Sequence, residues 1–426
     1  MAILDDTSTM AILHDTGTDY QGDDVSNYSS YSYSYGDGCA DWSRLVVLAN
    51  MYVVPLSEKM LRFGVLPIIV IVGLSLNLCF LLAVARVQYM RTSLNCYLVN
   101  LACADIMILS TNFVDKVVRC LVNPVYGAAS FGVEGCVLIT VFKWWGFFTS
   151  LTLITVITLE KFYAVCHPLT HKRLNHKKRR ITMCSAAWFF SLVAACVEIP
   201  TVIKMDTRCI SKWPPGDTFD RFPSIIKRCY PITLPYVKFC QVYTAIPFFI
   251  SMIINVCLYI CIYLAVRKTT KWHKQRNDTG ANRADNTHRV ARMLITNGMV
   301  FFICLAPNQA LLLVDALGAA PTSQQYETFI QTAAVLIYLN SCMNPLVYCL
   351  TNPRYRLAYR LAFKCTTKYR DGFAAVRVTK DRFNSSDSMR TRSTSMSMNR
   401  LPDKWMPMTT GVITTSVTPL HIHDNQ

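Results

Sequence analysis

The chain has 426 residues, of which 52% are hydrophobic and only 16% charged, with a mean hydropathy of +0.27. A soluble domain carries roughly 25% charged residues, so the composition excludes an ordinary water-soluble protein. The net charge of +17 does not mark a nucleic-acid binder either, because the basic residues crowd into a few segments between apolar runs.

In chain order, residues 1–62 read as a disordered acidic extracellular tail. The first 43 residues hold eight Asp and no Lys or Arg, and the repeat Tyr28-Ser29-Ser30-Tyr31-Ser32-Tyr33-Ser34-Tyr35 is too polar to bury a core. Met1-Ala2-Ile3-Leu4 runs straight into Asp5-Asp6 without the long apolar core of a cleaved signal peptide, so the first span is expected to serve as the signal anchor. Asn27-Tyr28-Ser29 is an N-glycosylation acceptor, and the tyrosines beside acidic residues are candidates for sulfation.

Seven apolar runs long enough to cross a bilayer follow, near Gly64–Val84, Cys96–Val117, Cys136–Thr158, Ile181–Val202, Cys240–Val266, Met293–Leu313 and Phe329–Leu350. They predict an all-α seven-transmembrane bundle over residues 63–351. Lys and Arg cluster after spans one (Arg86, Arg91), three (Lys172, Arg173, Lys177, Lys178, Arg179, Arg180) and five (Arg267, Lys268, Lys271, Lys274, Arg276). The positive-inside rule makes those segments cytoplasmic. The expectation is a multi-pass plasma-membrane protein with its amino terminus outside and its carboxyl terminus inside.

Residues 352–365 form the next unit, where Pro353 to Phe363 alternates basic and apolar residues as an interfacial amphipathic helix does. Cys365 at its end is a palmitoylation candidate. Residues 366–426 read as a disordered cytoplasmic tail whose Ser385, Ser386, Ser388, Thr391, Ser393, Thr394 and Ser395 offer phosphate acceptors. The acceptor-like Asn277-Asp278-Thr279 and Asn384-Ser385-Ser386 fall on the inner side and are expected to be inert.

Within the spans, Asn344-Pro345-Leu346-Val347-Tyr348 closes the seventh. Proline deletes a backbone hydrogen bond, and hydrocarbon tolerates that only where a neighbouring helix or water takes the freed carbonyl. Asp105 is an ionisable group deep in span two, which marks a functional site by default. Ser150, Asn340, Ser341 and Asn344 can surround it with oxygens that suit Na⁺ or water; the plainer alternative is a neutral, hydrogen-bonded Asp. Lys143 lies seven residues into span three from Cys136, and two partners are open to it: a ligand carboxylate or Asp115 of span two. Trp144, Phe147 and Phe148 stand beside it.

Of 18 cysteines, most sit in the spans. Cys136 opens span three, and either Cys209 or Cys229 of the second outer loop can tie that loop to it. Cys39 and Cys120 leave a second bridge open. No metal-ligand spacing, phosphate loop or nucleophile constellation argues for an enzyme, and no cofactor beyond a Na⁺ ion is expected.

One motif per span, in order, carries a resemblance: Asn77; Leu101-Ala102-Cys103-Ala104-Asp105; Cys136 and Glu160-Lys161-Phe162; Trp188; Pro247; Cys304-Leu305-Ala306-Pro307; and Asn344 to Tyr348. The chain resembles rhodopsin-like (class A) G-protein-coupled receptors of the peptide-receptor group. Met90-Arg91-Thr92, Asn95 to Val99, Ile337 to Ser341, and Arg356 with Ala358, Arg360 and Cys365 make it similar to the thyrotropin-releasing-hormone receptor branch and its neuromedin-like and ghrelin-like neighbours.

The resemblance implies an extracellular peptide ligand, coupling to heterotrimeric G proteins of the Gq type, and a pocket that includes Asp115, Lys143, Trp144, Phe147, Asn308, Gln309 and Tyr338. It implies a switch built from Glu160, Lys161, Phe162, Phe301, Pro307, Pro345 and Tyr348. The string Cys209-Ile210-Ser211-Lys212-Trp213-Pro214 favours Cys209 as the partner of Cys136. The basic residues of this loop would attract acidic ligands.

Departures accompany the likeness. Lys161 stands where the group usually carries Arg, and the two cations differ in geometry and hydration. Leu305 replaces an aromatic, and Asn255 replaces an inward Tyr. Trp144, Asn308 and Ala334 replace the Tyr, Tyr and Arg that hold the relatives' tripeptide, so a different peptide is expected. Tyr338 stands where opsins carry their retinal lysine. A receptor-like protein with weak or constitutive coupling, or an arrestin-biased decoy, is the competing expectation.

Overall fold

A computed structural model describes residues 39–50, 52–174, 177–276, 281–319, 321 and 324–363. Seven long helices account for all seven apolar runs: α1 (Leu56–Arg86), α2 (Ser93–Val122), α3 (Gly132–Cys166), α4 (Lys177–Cys196), α5 (Leu234–Arg276), α6 (Ala281–Ala316) and α7 (Gln324–Thr351). All but α4, which ends at Cys196, extend past both ends of their apolar runs. An amphipathic α8 (Pro353–Phe363) follows where the sequence predicts it. Large apolar side chains such as Ile68, Phe190, Ile253 and Ile303 remain more than half exposed on the outside of the bundle, the arrangement expected where lipid rather than water is the solvent.

Local chemistry sets the helix ends and bends. The side chain of Thr92 accepts a hydrogen bond from the Asn95 backbone N–H at 3.3 Å and caps α2. Pro247, Pro307 and Pro345 lie inside α5, α6 and α7. Near the C-terminal end of α2, residues Val114–Val118 widen into a π turn, and Asp115, Lys116 and Val117 are buried there.

Polar side chains join the helices. Pro345 cannot donate to the carbonyl of Ser341 four residues earlier, and Asn77 Nδ2 of α1 donates to that oxygen at 2.9 Å and to Gly73 O at 2.9 Å. A Cβ on Gly73 would lie 2.4 Å from Cys342 Sγ and 2.7 Å from Leu109 Cδ1, so glycine permits α1 to approach α7 and α2 this closely. Trp188 Nε1 donates to Asn100 Oδ1 at 2.9 Å, and Trp145 Nε1 to Trp188 O at 2.9 Å, tying α2, α3 and α4. The α8 helix docks through Tyr355, whose hydroxyl meets Asn95 Oδ1 at 2.6 Å and whose ring lies 5.6 Å from that of Tyr348.

Residues 39–50 and 52–62, expected within the disordered tail, are folded. Strand β1 (Ala40–Asp41) runs parallel to β2 (Lys204–Lys212), which pairs antiparallel with β3 (Ile225–Tyr230). Trp42, Tyr52, Ile210, Phe219 and Ile226 form a separate apolar cluster with Trp213 and Phe222 packed against it. Arg228 lies 4.2 Å over the Tyr52 ring and donates to Tyr126 O at 2.5 Å. Enough aromatic surface converges here to order a segment that reads as polar from its composition.

The disulfide expectation is corrected in the same region. Cys136 bonds to Cys229, not Cys209, and Cys209 bonds to Cys39. The hairpin register explains why: Cys229 lies opposite Met205, whereas Cys209 lies opposite Ile225. Four residues along a strand separate the two cysteines by roughly 13 Å, so only one end of the hairpin can meet the start of α3. The other end meets β1. Nonreducing peptide mapping of the purified protein is expected to recover Cys136–Cys229 and Cys39–Cys209 peptides, and Cys209→Ser is expected to leave the Cys136–Cys229 peptide intact.

Candidate functional site

Lys143, Trp144 and Phe147 of α3 meet Asn308 and Gln309 of α6 around a narrow internal cavity of about 50 Å³. That volume holds a few water molecules. Its lining continues to Ser150 of α3, two turns deeper, and to Asn340 and Ser341 of α7, with Phe301 and Leu305 of α6 on another wall. The predicted outer and inner polar groups therefore share one cavity.

Lys143 is 8% exposed. Its ammonium sits 6.0 Å from the Trp144 ring centroid, and among the described residues it has neither a hydrogen bond nor an ion pair. The buried Trp144 Nε1 and Gln309 Oε1 are likewise without hydrogen-bond partners among the described residues. Two donors and an acceptor thus belong to side chains that line one small, mainly apolar cavity.

The expected internal pair between Lys143 and Asp115 is not formed. Asp115 contacts Arg119 at 2.6 Å, one turn along the same helix. The i,i+4 spacing puts that guanidinium within reach, and Asp115 is not among the residues that line the cavity. Tyr338 also departs from the predicted pocket: it lines a separate cavity of about 30 Å³ between α1, α2 and α7, with Glu58, Arg62 and Lys116. Glu58 and Arg62 form an ion pair there.

Sequence reading missed Arg62, Lys116 and Arg119 as members of a buried ionic set, and it missed Glu198. Glu198, two residues past the end of α4, is 1% exposed, and its Oε1 accepts from Thr244 Oγ1 of α5 at 3.0 Å. A carboxylate in the otherwise apolar stretch 191–200 was the available signal.

Deeper in the bundle Asp105 is fully buried, and Asn344 Nδ2 donates to its Oδ2 at 2.6 Å. Its other oxygen, Ser150 Oγ and Asn340 Oδ1 have no hydrogen-bond partner among the described residues. Buried polar atoms ordinarily find one. An oxygen-only donor set with orphaned acceptors fits water or a small hard cation.

At the C-terminal end of α3, no ion pair joins Glu160 to Lys161 among the described residues. Phe162 packs with Val165 against Ile262, Val266, Ala291 and Ile295. Asn255 of α5 donates to Thr155 Oγ1 at 3.0 Å. Phe301 packs on Phe302 at 5.3 Å, close to Phe248 and six residues before Pro307. Tyr348 is 1% exposed, packed at a tilt between Phe80 and Tyr355.

The sequence pattern of the 7 transmembrane receptor (rhodopsin family) matches residues 76–348, which spans most of the bundle just described. The chain belongs to the rhodopsin family of seven-transmembrane receptors. It is a receptor fold rather than an enzyme, carried by a multi-pass membrane protein. The receptor is 26% identical over 325 residues to the thyrotropin-releasing hormone receptor of Ovis aries, covering 71% of this chain and 78% of that protein. The Homo sapiens protein of the same name is 27% identical over 322 residues, covering 71% and 78%. The allatostatin-A receptor of Bombyx mori is 26% identical over 309 residues, covering 71% and 80%.

Breaking the buried Asp115–Arg119 pair leaves a carboxylate without its contact partner. Arg119→Gln is expected to cost about 3 kcal/mol, read as a fall in the melting temperature of the purified receptor. Asp115→Asn combined with Arg119→Gln is expected to cost less than the sum of the single changes.

Proposed function

We propose that this receptor sits in the plasma membrane, amino terminus outside and carboxyl terminus inside, and responds to an extracellular peptide that presents an acidic group to Lys143. The observation that carries this is the buried Lys143 ammonium, unpartnered among the described residues, beside the unpartnered Trp144 N–H. A buried cation is costly until an anion meets it, and a ligand carboxylate supplies one. The thyrotropin-releasing hormone and allatostatin-A named for its relatives support a peptide; the replaced residues Trp144, Asn308 and Ala334 argue against the tripeptide of the thyrotropin-releasing-hormone receptors.

Signal transfer runs to heterotrimeric G proteins, of the Gq type by likeness to those relatives. Asp105, with Ser150, Asn340, Ser341 and Asn344, is the group that would hold Na⁺ or water, a cation there supplying charge to the buried carboxylate. The glycan at Asn27, the palmitate at Cys365 and the tail phosphates read by receptor kinases and arrestin complete the proposal; these positions lie outside the described residues, as do residues 1–38 and 364–426.

A second reading, weak or constitutive coupling or a decoy biased to arrestin, is favoured by the absence of a Glu160–Lys161 ion pair together with Leu305 on the cavity wall. The two readings separate in cells displaying the receptor, challenged with a peptide library and read for calcium, cyclic AMP and arrestin recruitment. Peptides with an acidic residue or free carboxyl terminus are expected to act, and Lys143→Gln is expected to weaken them about tenfold or more, the worth of a hydrogen bond to a charged group. Equal potency on wild type and Lys143→Gln would sink the acidic-ligand proposal.

A further inference from the structure

Below the cavity, α3, α5 and α6 meet at one hydroxyl. Tyr259 of α5 is 5% exposed, and its Oη lies 3.2 Å from Thr158 Oγ1 of α3. The Thr158 hydroxyl is also 2.9 Å from the carbonyl of Ile154, one turn up its own helix. From the other side the tyrosine fills a notch in α6. A Cβ on Gly298 would lie 1.7 Å from Tyr259 Oη, 2.6 Å from Cζ and 3.0 Å from Cε2. No side chain larger than hydrogen at 298 is compatible with this position of the ring.

Glycine in the middle of a helix is unfavourable without such a reason. Among the described residues, neither adjoining layer has a hydroxyl held between all three helices. One turn toward the cavity, Asn255, Thr155 and Ser251 hydrogen-bond among themselves and join α3 to α5 only. One turn further in, Phe162, Ile262, Val266, Ala291 and Ile295 pack as apolar side chains without directional bonds. The nearest interruption of α6 is Pro307, nine residues away from Gly298, and a proline is where a helix bends. If the inner half of α6 pivots there, the notch at Gly298 moves off Tyr259, and the hydroxyl loses its enclosed position beside Thr158.

We propose that Tyr259 is a positioning residue that latches the inner half of α6 against α3, with Gly298 as its keeper and Thr158 as its catch. The latch sets how often the inner face opens without ligand. Its strength comes from one buried hydroxyl pair and one shape match, so it holds the closed arrangement while remaining weak enough for a ligand to release.

The test needs no ligand, so an incorrect ligand assignment leaves it intact. Ligand-independent nucleotide exchange is measured on G proteins of each class reconstituted with the purified receptor, alongside its melting temperature. Tyr259→Phe, which keeps the ring, and Thr158→Val, which leaves α6 untouched, are each expected to raise basal exchange about fivefold, the worth of one buried hydrogen bond. Gly298→Ala is expected to raise it further, and adding Tyr259→Phe to Gly298→Ala is expected to add little, because both break one contact. Unchanged exchange in Tyr259→Phe and Thr158→Val would overturn the proposal. So would a fall in melting temperature with unchanged exchange, which marks a merely structural contact.

Discussion

The hydrogen bond from Asn77 to the carbonyl of Ser341 is the constraint on which the centre of this bundle depends. Pro345 bends α7 and leaves one carbonyl without a helical donor, in a medium that offers no water to replace it. Because the replacement comes from α1, the bend has one direction. Asn344 consequently faces Asp105 on α2, Asn340 and Ser341 face the cavity, and Tyr348 is delivered to Phe80 and Tyr355. Gly73 permits the approach that makes this donor reach. A single missing N–H thus sets the orientation of the polar core and the docking of α8.

The outer half of the bundle follows another logic, that of charge. Glu58, Arg62, Asp115, Lys116, Lys143 and Glu198 are all less than 10% exposed. Acids and bases within one helical turn of each other pair, as Glu58 does with Arg62 and Asp115 with Arg119. Lys143 has no acid at that spacing on α3. It remains oriented toward the cavity for want of a local partner, and its neighbours Trp144 and Gln309 leave polar atoms open beside it.

Much of this was legible in the sequence, for reasons that differ by element. Seven apolar runs and the amphipathic segment from Pro353 are unambiguous because the bilayer sets a length and the interface sets a period. Asp105 and Asn344 were legible as a pair because an ionisable group in hydrocarbon demands company. What sequence could not supply was register. Cys209 and Cys229 are equivalent until the β2–β3 pairing places one over α3, and Asp115, free on sequence to meet Lys143 of α3, meets Arg119 one turn along its own helix instead. Trp42 and Tyr52 looked like part of a polar tail because their partners, Trp213 and Phe222, lie far along the chain.

The two bridges have a consequence for biosynthesis. In chain order the four cysteines are Cys39, Cys136, Cys209 and Cys229, and the native pairs join the first to the third and the second to the fourth. Oxidation in order of emergence would join Cys39 to Cys136, and then Cys209 to Cys229. Thiol–disulfide exchange resolves such wrong pairs through mixed intermediates, and the interleaved pattern can be reached only after the hairpin has emerged and paired. An interleaved pair of bridges is thus the kind that disulfide exchange, rather than order of synthesis, brings about.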